Sequence, residues 1–227
     1  MMDHKIGTTG KPGGRLRPLL GAALLGVALT ATLQGCVPVV ATGVAVGTLA
    51  TLDRRSYGTQ LEDQEIMLRA QRRLGEKLGE RAYVYVTSYN RIVLLTGDAA
   101  DERIKAEAEQ IVRGVRNVRE VANELKIGPI TSGAVHANDT FITTKVKARF
   151  VDGKKFSPNL VKVVTEAGTV YLMGMVTSTE ADAATEIARR TDGVQRVVRV
   201  FELISDEEAR KMDTRRSQEP PAGNNKK

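Results

Sequence analysis

Cys36 is the only cysteine in a chain of 227 residues, and the residues before it suggest a use for its thiol. The segment Leu33-Gln34-Gly35 precedes it, so the small residue that a signal peptidase needs stands on its N-terminal side. Farther upstream lies an uncharged apolar run from Leu19 to Leu33, after a basic leader with Lys5, Lys11, Arg15 and Arg17. This layout predicts a secretion signal. An exported chain with an odd thiol needs that thiol paired or capped, and lipidation would cap it.

Leu33-Gln34-Gly35-Cys36 resembles the lipobox of bacterial lipoproteins. The resemblance implies that a signal peptide, residues 1–35, is removed and that Cys36 becomes a lipidated N-terminus. Lipoproteins of this kind carry three acyl chains, which exceeds the two needed for stable attachment. The following residue is Val37 and not Asp. By resemblance to the known sorting rules, this places the protein in the outer membrane of a Gram-negative cell, lipid-anchored on the periplasmic face.

An uncleaved membrane anchor is the alternative for the apolar leader. The leader is short for a span of about 20 apolar residues. A second uncharged stretch, Val37–Leu52, follows, but Gly35 and Pro38 interrupt the two halves. We therefore interpret residues 36–60 as the lipidated cysteine and a membrane-proximal tether.

Phe141 heads a second group of residues with binding chemistry. At 100° per residue, Ile142, Val146 and Phe150 cluster on one helix face and predict the core side. Phe141 points about 140° away from that cluster. Its outward neighbours are Lys145 and Ala148, with Arg149 at the margin and Lys147 further round. An outward aromatic on a basic helix is the arrangement that places a ring in a headgroup region while cations meet phosphates, so we predict lipid contact here.

The same position in an earlier part of the chain holds Glu65, which an anionic surface would repel. Two alternatives for the Phe141 helix stay open. The ring could instead pack against another domain or the linker, and the basic residues could simply form a solvated face.

The net charge of +7 and the pI near 9.6 favour an acidic partner surface. Nucleic acid would be the first candidate for a cytoplasmic protein, but an exported lipoprotein meets no genome. Anionic headgroups are the expected partner, with no nucleic acid. A modest positive charge that only aids solubility is the alternative.

The sequence has many Ser, Asp and Glu residues but no recognisable catalytic constellation, and we predict that the protein is not an enzyme. The only histidines are His4, in the leader, and His136, in the linker. With Cys36 committed to lipid, neither a Cys-His nucleophile nor a structural zinc site is expected. No glycine-rich phosphate loop follows a strand. We expect no metal, no cofactor and no small-molecule substrate.

An internal repeat organises the rest of the chain. Asp63–Ile66 aligns with Asp139–Ile142 at an offset of 76 residues, and the following strands align at 77. The strand positions of the first copy are Val84, Val86, Ile92, Val93, Leu95 and Gly97, and those of the second are Val161, Val163, Thr169, Val170, Leu172 and Gly174.

Each copy reads helix-strand-strand-helix-strand, which predicts an α+β fold with a three-stranded mixed sheet packed on two helices. Asp63 is a plausible N-cap of the first helix. We place Gly174 in a strand-to-helix turn that needs a positive φ. The predicted domains are residues 61–128 and 138–204, with a linker at 129–137. The polar segment 205–227 lacks an apolar period and predicts a disordered tail.

The repeat resembles the BON domain, and the chain resembles dual-BON-domain outer-membrane lipoproteins. The resemblance rests on the lipobox, on Asp53–Gln60, on Asn138–Lys145 and on the strand Val170–Gly174. It implies binding of anionic, phosphatidylglycerol-like phospholipid through the second domain and a role in outer-membrane integrity. An envelope adaptor is the alternative, with a protein partner such as an outer-membrane assembly machine, because small α+β domains offer sheet edges to partner strands.

Overall fold

A computed structural model describes residues 53–129 and 136–218. The predicted signal peptide, Cys36, the tether up to residue 52, most of the linker and residues 219–227 lie outside the described residues. Among the helices that are described, we find none long and apolar enough to cross a membrane.

Helix α1, Tyr57–Leu78, begins earlier than the repeat predicts. Ser56 is its N-cap, and the Ser56 hydroxyl accepts a hydrogen bond from the backbone N–H of Thr59. Asp63 therefore lies inside the helix, so its assignment as the N-cap was wrong. Helix α1 also includes residues 57–60, the last part of the segment that we interpret as a tether. Local capping chemistry at Ser56 starts the helix before its first buried apolar residue, Ile66.

The first copy continues with a short 3₁₀ turn, Gly79–Arg81, and the antiparallel strands β1, Ala82–Tyr89, and β2, Ile92–Ala99. Helix α2 spans Glu102–Arg113 and has Asp101 as its N-cap. Two short segments, β3 at Glu120–Asn123 and β4 at Lys126–Ile127, pair in parallel with β2. The mixed sheet is as predicted, but its third strand is interrupted.

The second copy repeats this order. Helix α3 covers His136–Gly153, and a 3₁₀ turn at Pro158–Leu160 leads into β5, Lys162–Glu166. Strand β6 is Thr169–Val176, helix α4 is Ser178–Arg189 and strand β7 is Arg196–Leu203. β6 pairs with β5 antiparallel and with β7 parallel. The predicted α+β fold is confirmed in both copies.

Asp63 and its counterpart Asp139 fix the hairpin turns of the two copies. The Asp63 carboxylate accepts hydrogen bonds from the backbone N–H groups of Asn90 and Arg91, both at 2.8 Å, and from the Ser88 hydroxyl at 2.7 Å. Asn90 and Arg91 have φ of 50° and 66°. Asp139 binds the N–H groups of Ala167 and Gly168 in the same way. Each buried carboxylate thus ties the first helix to a left-handed turn.

The two repeated glycines, Gly97 and Gly174, lie inside strands, which corrects our placement of Gly174 in a turn. A Cβ on Gly97 would come within 3.0 Å of the carbonyl oxygen of Tyr83, and one on Gly174 within 3.0 Å of that of Leu160. Of the two, Gly97 alone has a positive φ, at 112°. Both positions therefore require glycine because a neighbouring backbone segment of the same protein approaches closely.

The two sheets pack face to face, an arrangement that the sequence did not predict. In each copy one sheet face carries the helices, and alternate residues form the opposite face. That opposite face brings Ile92 and Leu94 of β2 together with Tyr171, Met173 and Met175 of β6. Leu94, Tyr171 and Met173 are fully buried. The two copies therefore share a third apolar core.

The segment from Ser205 onward is helical up to Gln218, so the prediction of a disordered tail was wrong for these residues. Helix α5, Asp206–Gln218, begins with a hydrogen bond from the N–H of Glu208 to the Ser205 hydroxyl. It has no apolar stripe of its own. Ala209 is nonetheless buried, and Met212 packs on the core between the sheets. Tertiary contact orders this helix, which a periodicity argument cannot detect.

Candidate functional site

The outward side of α3 is the candidate site, and its anchor is Phe141. Ile142, Val146 and Phe150 are fully buried in the core of the second copy. Phe141 is 61% exposed. The helix period therefore separates core side chains from this aromatic as predicted, and Phe141 packs neither into the core nor between the sheets.

Lys145 lies beside Phe141 and folds over its ring. The Lys145 ammonium nitrogen is 4.7 Å from the ring centroid, which is a cation–π geometry. The same Nζ donates a hydrogen bond to the carbonyl oxygen of Asp192. The cation is thus held next to the exposed ring, at the border between apolar and charged surface.

Arg149 reaches toward the end of α4. Its guanidinium donates a hydrogen bond to the carbonyl oxygen of Arg190, and one of its nitrogens lies 3.8 Å from the Asp192 carboxylate. Carbonyl groups at a helix C-terminus are natural partners for such a cation. Arg189 and Arg190 are exposed at the same end. The basic flank therefore draws on two helices.

Ala148 completes the set, and Lys147 stands apart from it. Ala148 is exposed and lies about 20° from Phe141 around the helix axis. Lys147 is exposed about 120° away. Lys147 lies close enough to Lys162 on β5 to affect its pKa. Burial is the main cause that lowers the pKa of Lys162, and the positive charges of Arg55 and Lys147 lower it further. We define the α3 outward face as Phe141, Lys145, Ala148 and Arg149.

Two residues that lie next to the α3 outward face were not predicted from the sequence. Val151 is 59% exposed and follows Ala148 by three residues, so a helical wheel could have found it. Arg190 is the C-cap residue of α4, and only the fold places it next to Arg149. The face is thus more apolar along the helix, and more basic on its flank, than predicted.

The first copy offers a matched surface with opposite character. Arg73 donates a hydrogen bond to the carbonyl oxygen of Gly114 at 2.7 Å, just as Arg149 does to that of Arg190. At the position of Phe141 stands Glu65, whose carboxylate lies 2.9 Å from the Arg69 guanidinium. The arginine contact is the same in both copies, but the outward group is a carboxylate in the first copy and an aromatic ring in the second.

The relative placement of the two copies is held by ion pairs. Arg54 is 7% exposed and binds the carboxylates of Glu180 and Asp213 and the carbonyl oxygen of Met175. Arg119 binds Glu202 through both terminal nitrogens, at 3.0 and 2.6 Å, and Asn90 donates to the same carboxylate. The segment before α1 is therefore fastened to the second copy and to α5.

Burial and ion pairing oppose each other at Glu202. Burial disfavours the charged carboxylate, but the hydrogen bonds from Arg119 and Asn90 outweigh it and hold the pKa of Glu202 below its ordinary value. The ionised carboxylate is thus the form that joins the two copies.

Metal-binding chemistry finds no support within the described ranges. Among residues 53–129 and 136–218, no group of three or more His, Cys, Asp or Glu side chains is placed to hold a metal ion. The α3 outward face itself presents an exposed aromatic ring beside a lysine ammonium group.

Comparison with known proteins gives matches for both copies and for most of the chain. The BON domain model matches residues 64–129 and 138–204. The chain is 37% identical to the outer membrane lipoprotein DolP of Haemophilus influenzae over 192 residues, which is 83% of this chain and 98% of the relative.

More distant relatives match smaller parts. The 21 kDa hemolysin of Actinobacillus pleuropneumoniae is 34% identical over 67% of this chain and 80% of its own length. The osmotically inducible protein Y of Escherichia coli is 32% identical over 50% of this chain and 58% of its own length. The chain therefore belongs to the BON-domain family, as a member with two tandem BON domains.

Proposed function

We propose that this protein is a non-enzymatic outer-membrane lipoprotein that contacts anionic phospholipid through the α3 outward face and supports outer-membrane integrity. The observation that carries the proposal is the exposed Phe141 ring with the Lys145 ammonium 4.7 Å from its centroid. The similarity to an outer membrane lipoprotein covers nearly the whole length of that relative and supports an outer-membrane location.

The chemistry of the face fits a headgroup region. An aromatic ring favours the boundary between acyl chains and headgroups, while nearby cations meet phosphate oxygens. Burial of Phe141 would contribute about 1.5–3 kcal/mol. Each cation close to an anionic surface adds about 1 kcal/mol. Lys145 and Arg149 already donate hydrogen bonds to backbone carbonyls, with which a phosphate must compete, so we expect a weak and reversible contact.

The anchor is the second element of the proposal. Acylation of Cys36 would hold both domains near one leaflet and raise the local concentration of the α3 outward face at lipid. A weak headgroup site can then be occupied without strong intrinsic affinity. Mass spectrometry of the purified protein tests this element. We expect a chain that begins at an acylated Cys36, and an unmodified Cys36 would contradict the anchor.

Nuclear magnetic resonance tests the lipid contact. The full chain is placed in zwitterionic micelles, and phosphatidylglycerol is then added. We expect shift changes confined to α3 and the end of α4. Phe141→Glu should abolish them while the other resonances stay in place. The control is Glu65→Gln, which removes the matching carboxylate of the first copy and should leave the α3 response intact. An unchanged α3 response in Phe141→Glu would refute the proposal.

A further inference from the structure

The loop that follows helix α4 carries Asp192, and this residue contacts both cations of the α3 outward face. Its carbonyl oxygen accepts a hydrogen bond from the Lys145 ammonium group. One of its carboxylate oxygens lies 3.8 Å from a terminal nitrogen of Arg149. Lys145 in turn lies 4.7 Å from the centroid of the Phe141 ring. Asp192 therefore stands at the edge of the proposed lipid site, between its two cations.

The backbone of this loop fixes the place of Asp192. The next residue, Gly193, has a φ of 95°, which favours glycine. A Cβ added to Gly193 would lie 3.1 Å from the Ile142 side chain and 3.7 Å from the Lys145 ammonium nitrogen. The loop therefore packs closely against α3, and the fold itself keeps Asp192 beside Lys145.

The carboxylate is the exposed part of Asp192. Its side chain is 88% exposed, and at 3.8 Å its contact with Arg149 is an ion pair too long for a hydrogen bond. Exposed pairs of this kind contribute little to stability. Among the described residues, no donor is hydrogen-bonded to this carboxylate. Its oxygens are therefore able to accept hydrogen bonds from a group outside the protein.

The first copy carries the opposite charge at the matching place. Counted from the residues whose carbonyls accept from the equivalent arginine of the first helix, Arg116 takes the place of Asp192. The residue that follows has a positive φ in both copies, 69° at Asn117 and 95° at Gly193. The loop geometry is thus shared and does not require a carboxylate, whereas the acidic side chain occurs in the copy that has the exposed aromatic ring.

An acidic side chain beside a site for anionic lipid needs a reason, because a carboxylate repels a phosphate. An ionised carboxylate only accepts hydrogen bonds, so it suits a headgroup that donates them. The glycerol of phosphatidylglycerol carries hydroxyl groups close to its phosphate. Arg189 and Arg190 are exposed at the same end of α4 and make the surroundings cationic, which favours an uncharged hydroxyl over an ammonium group as the donor.

We propose that Asp192 makes the α3 outward face selective for anionic headgroups that carry a hydroxyl group beside the phosphate. The phosphate oxygens meet Lys145 and Arg149, and a headgroup hydroxyl donates a hydrogen bond to the Asp192 carboxylate. A phosphodiester lipid of the same charge without a headgroup hydroxyl lacks the second contact. The inference rests on the proposed lipid contact and adds to it a preference among anionic lipids.

Titration of the full chain with two lipids in zwitterionic micelles tests the inference, with the chemical shifts of α3 as the readout. One lipid is phosphatidylglycerol, and the other is phosphatidylmethanol, which has the same phosphodiester charge and no headgroup hydroxyl. We expect about threefold to tenfold tighter binding of phosphatidylglycerol, as one hydrogen bond supplies. Asp192→Ala should lose this preference. Asp192→Asn has the same net charge as the alanine variant but keeps an acceptor oxygen, so it should retain part of the preference.

Arg116→Ala, at the matching position of the first copy, is the control and should keep the preference of the original chain. A carboxylate that only repels phosphate predicts another result, because Asp192→Ala would then tighten the binding of both lipids equally and leave their ratio unchanged. That result, a loss of preference in Arg116→Ala as well, or equal binding of the two lipids by the original chain overturns the inference. In each of these cases lipid contact itself still stands, whereas an original chain that responds to neither lipid refutes the proposed function too.

Discussion

The two BON domains place the same helix on the same sheet and present different chemistry on the outward side. Glu65 pairs with Arg69 in the first copy, whereas Phe141 lies under Lys145 in the second. The arginine that binds the adjacent helix end is kept in both. The two copies thus share the scaffold and differ in the outward residue, and we propose lipid contact for the second copy alone.

The second difference concerns the first strand of each sheet. Strand β1 has eight residues, Ala82–Tyr89, whereas β5 has five, Lys162–Glu166, and follows the 3₁₀ turn Pro158–Leu160. The comparison teaches that the two copies keep the same element order while their local geometry and outward residues differ.

The largest expected effect comes from the paired buried aspartates. Asp63 has the hairpin N–H groups, Ser88 and the Arg55 guanidinium as partners, whereas Asp139 has two backbone N–H groups. We expect Asp63→Ala to lower the free energy of unfolding by about 3–5 kcal/mol. Asp139→Ala should cost about 2–3 kcal/mol. Urea unfolding measures both, and Asp152→Ala on the exposed surface is the control. Equal losses in the two copies would contradict the difference in partners.

An exchange of the outward residues tests whether they decide which copy meets lipid. The double variant Glu65→Phe/Phe141→Glu should lose about 1.5–3 kcal/mol of phosphatidylglycerol contact at α3 and gain part of it at α1. Chemical-shift changes on addition of the lipid report the two helices separately. Contact that stays at α3 after the exchange would show that Phe141 is not the determinant.

Lys145 should have a smaller effect than the ring. Lys145→Gln removes one cation and should weaken phosphatidylglycerol binding by about 1 kcal/mol, with a shallower dependence on salt. Arg69→Gln is its counterpart in the first copy and should leave lipid binding unchanged. Titration of vesicles at two ionic strengths gives both quantities. Equal losses in the two variants would indicate a diffuse charge effect in place of a local site.

The smallest effect concerns the acid sensitivity of the junction between the copies. Because the pKa of Glu202 is lowered in the folded protein, its contribution is present above the ordinary glutamate value of about 4.3 and is lost as the pH falls below it. The pair is partly exposed, so we expect about 1 kcal/mol or less. Glu202→Gln should flatten this part of the stability curve, as read from urea midpoints between pH 6 and pH 3. A steeper curve would contradict the sign.

Local pattern was enough to predict the repeat, the element order and the outward position of Phe141. These follow from helix and strand periods, which are written along the chain. The role of Asp63 could not be found in this way, because its partners Asn90 and Arg91 come from a distant turn. Helix α5 was missed for a similar reason, since its order depends on Ala209 and Met212 packing against residues far away in sequence.

The face-to-face packing of the sheets is the largest feature that sequence reasoning left out. Tyr171, Met173 and Met175 alternate with Val170 and Leu172 along β6, and both sets are buried. Such a strand is apolar on both faces, which was a readable sign that something covers the second face. The sequence could not show that the other copy covers this face, because the two similar sheets have the same apolar pattern.

One measurement tests the central claim that the second copy alone meets lipid. The chain has no tryptophan, so Phe141→Trp and Glu65→Trp each introduce a unique fluorophore at matched positions. The full chain is placed in nanodiscs of phosphatidylcholine with and without phosphatidylglycerol. The account predicts a blue shift and quenching by brominated lipid for Trp at position 141 only, and only with phosphatidylglycerol. Equal quenching at both positions, or none at position 141, would contradict it.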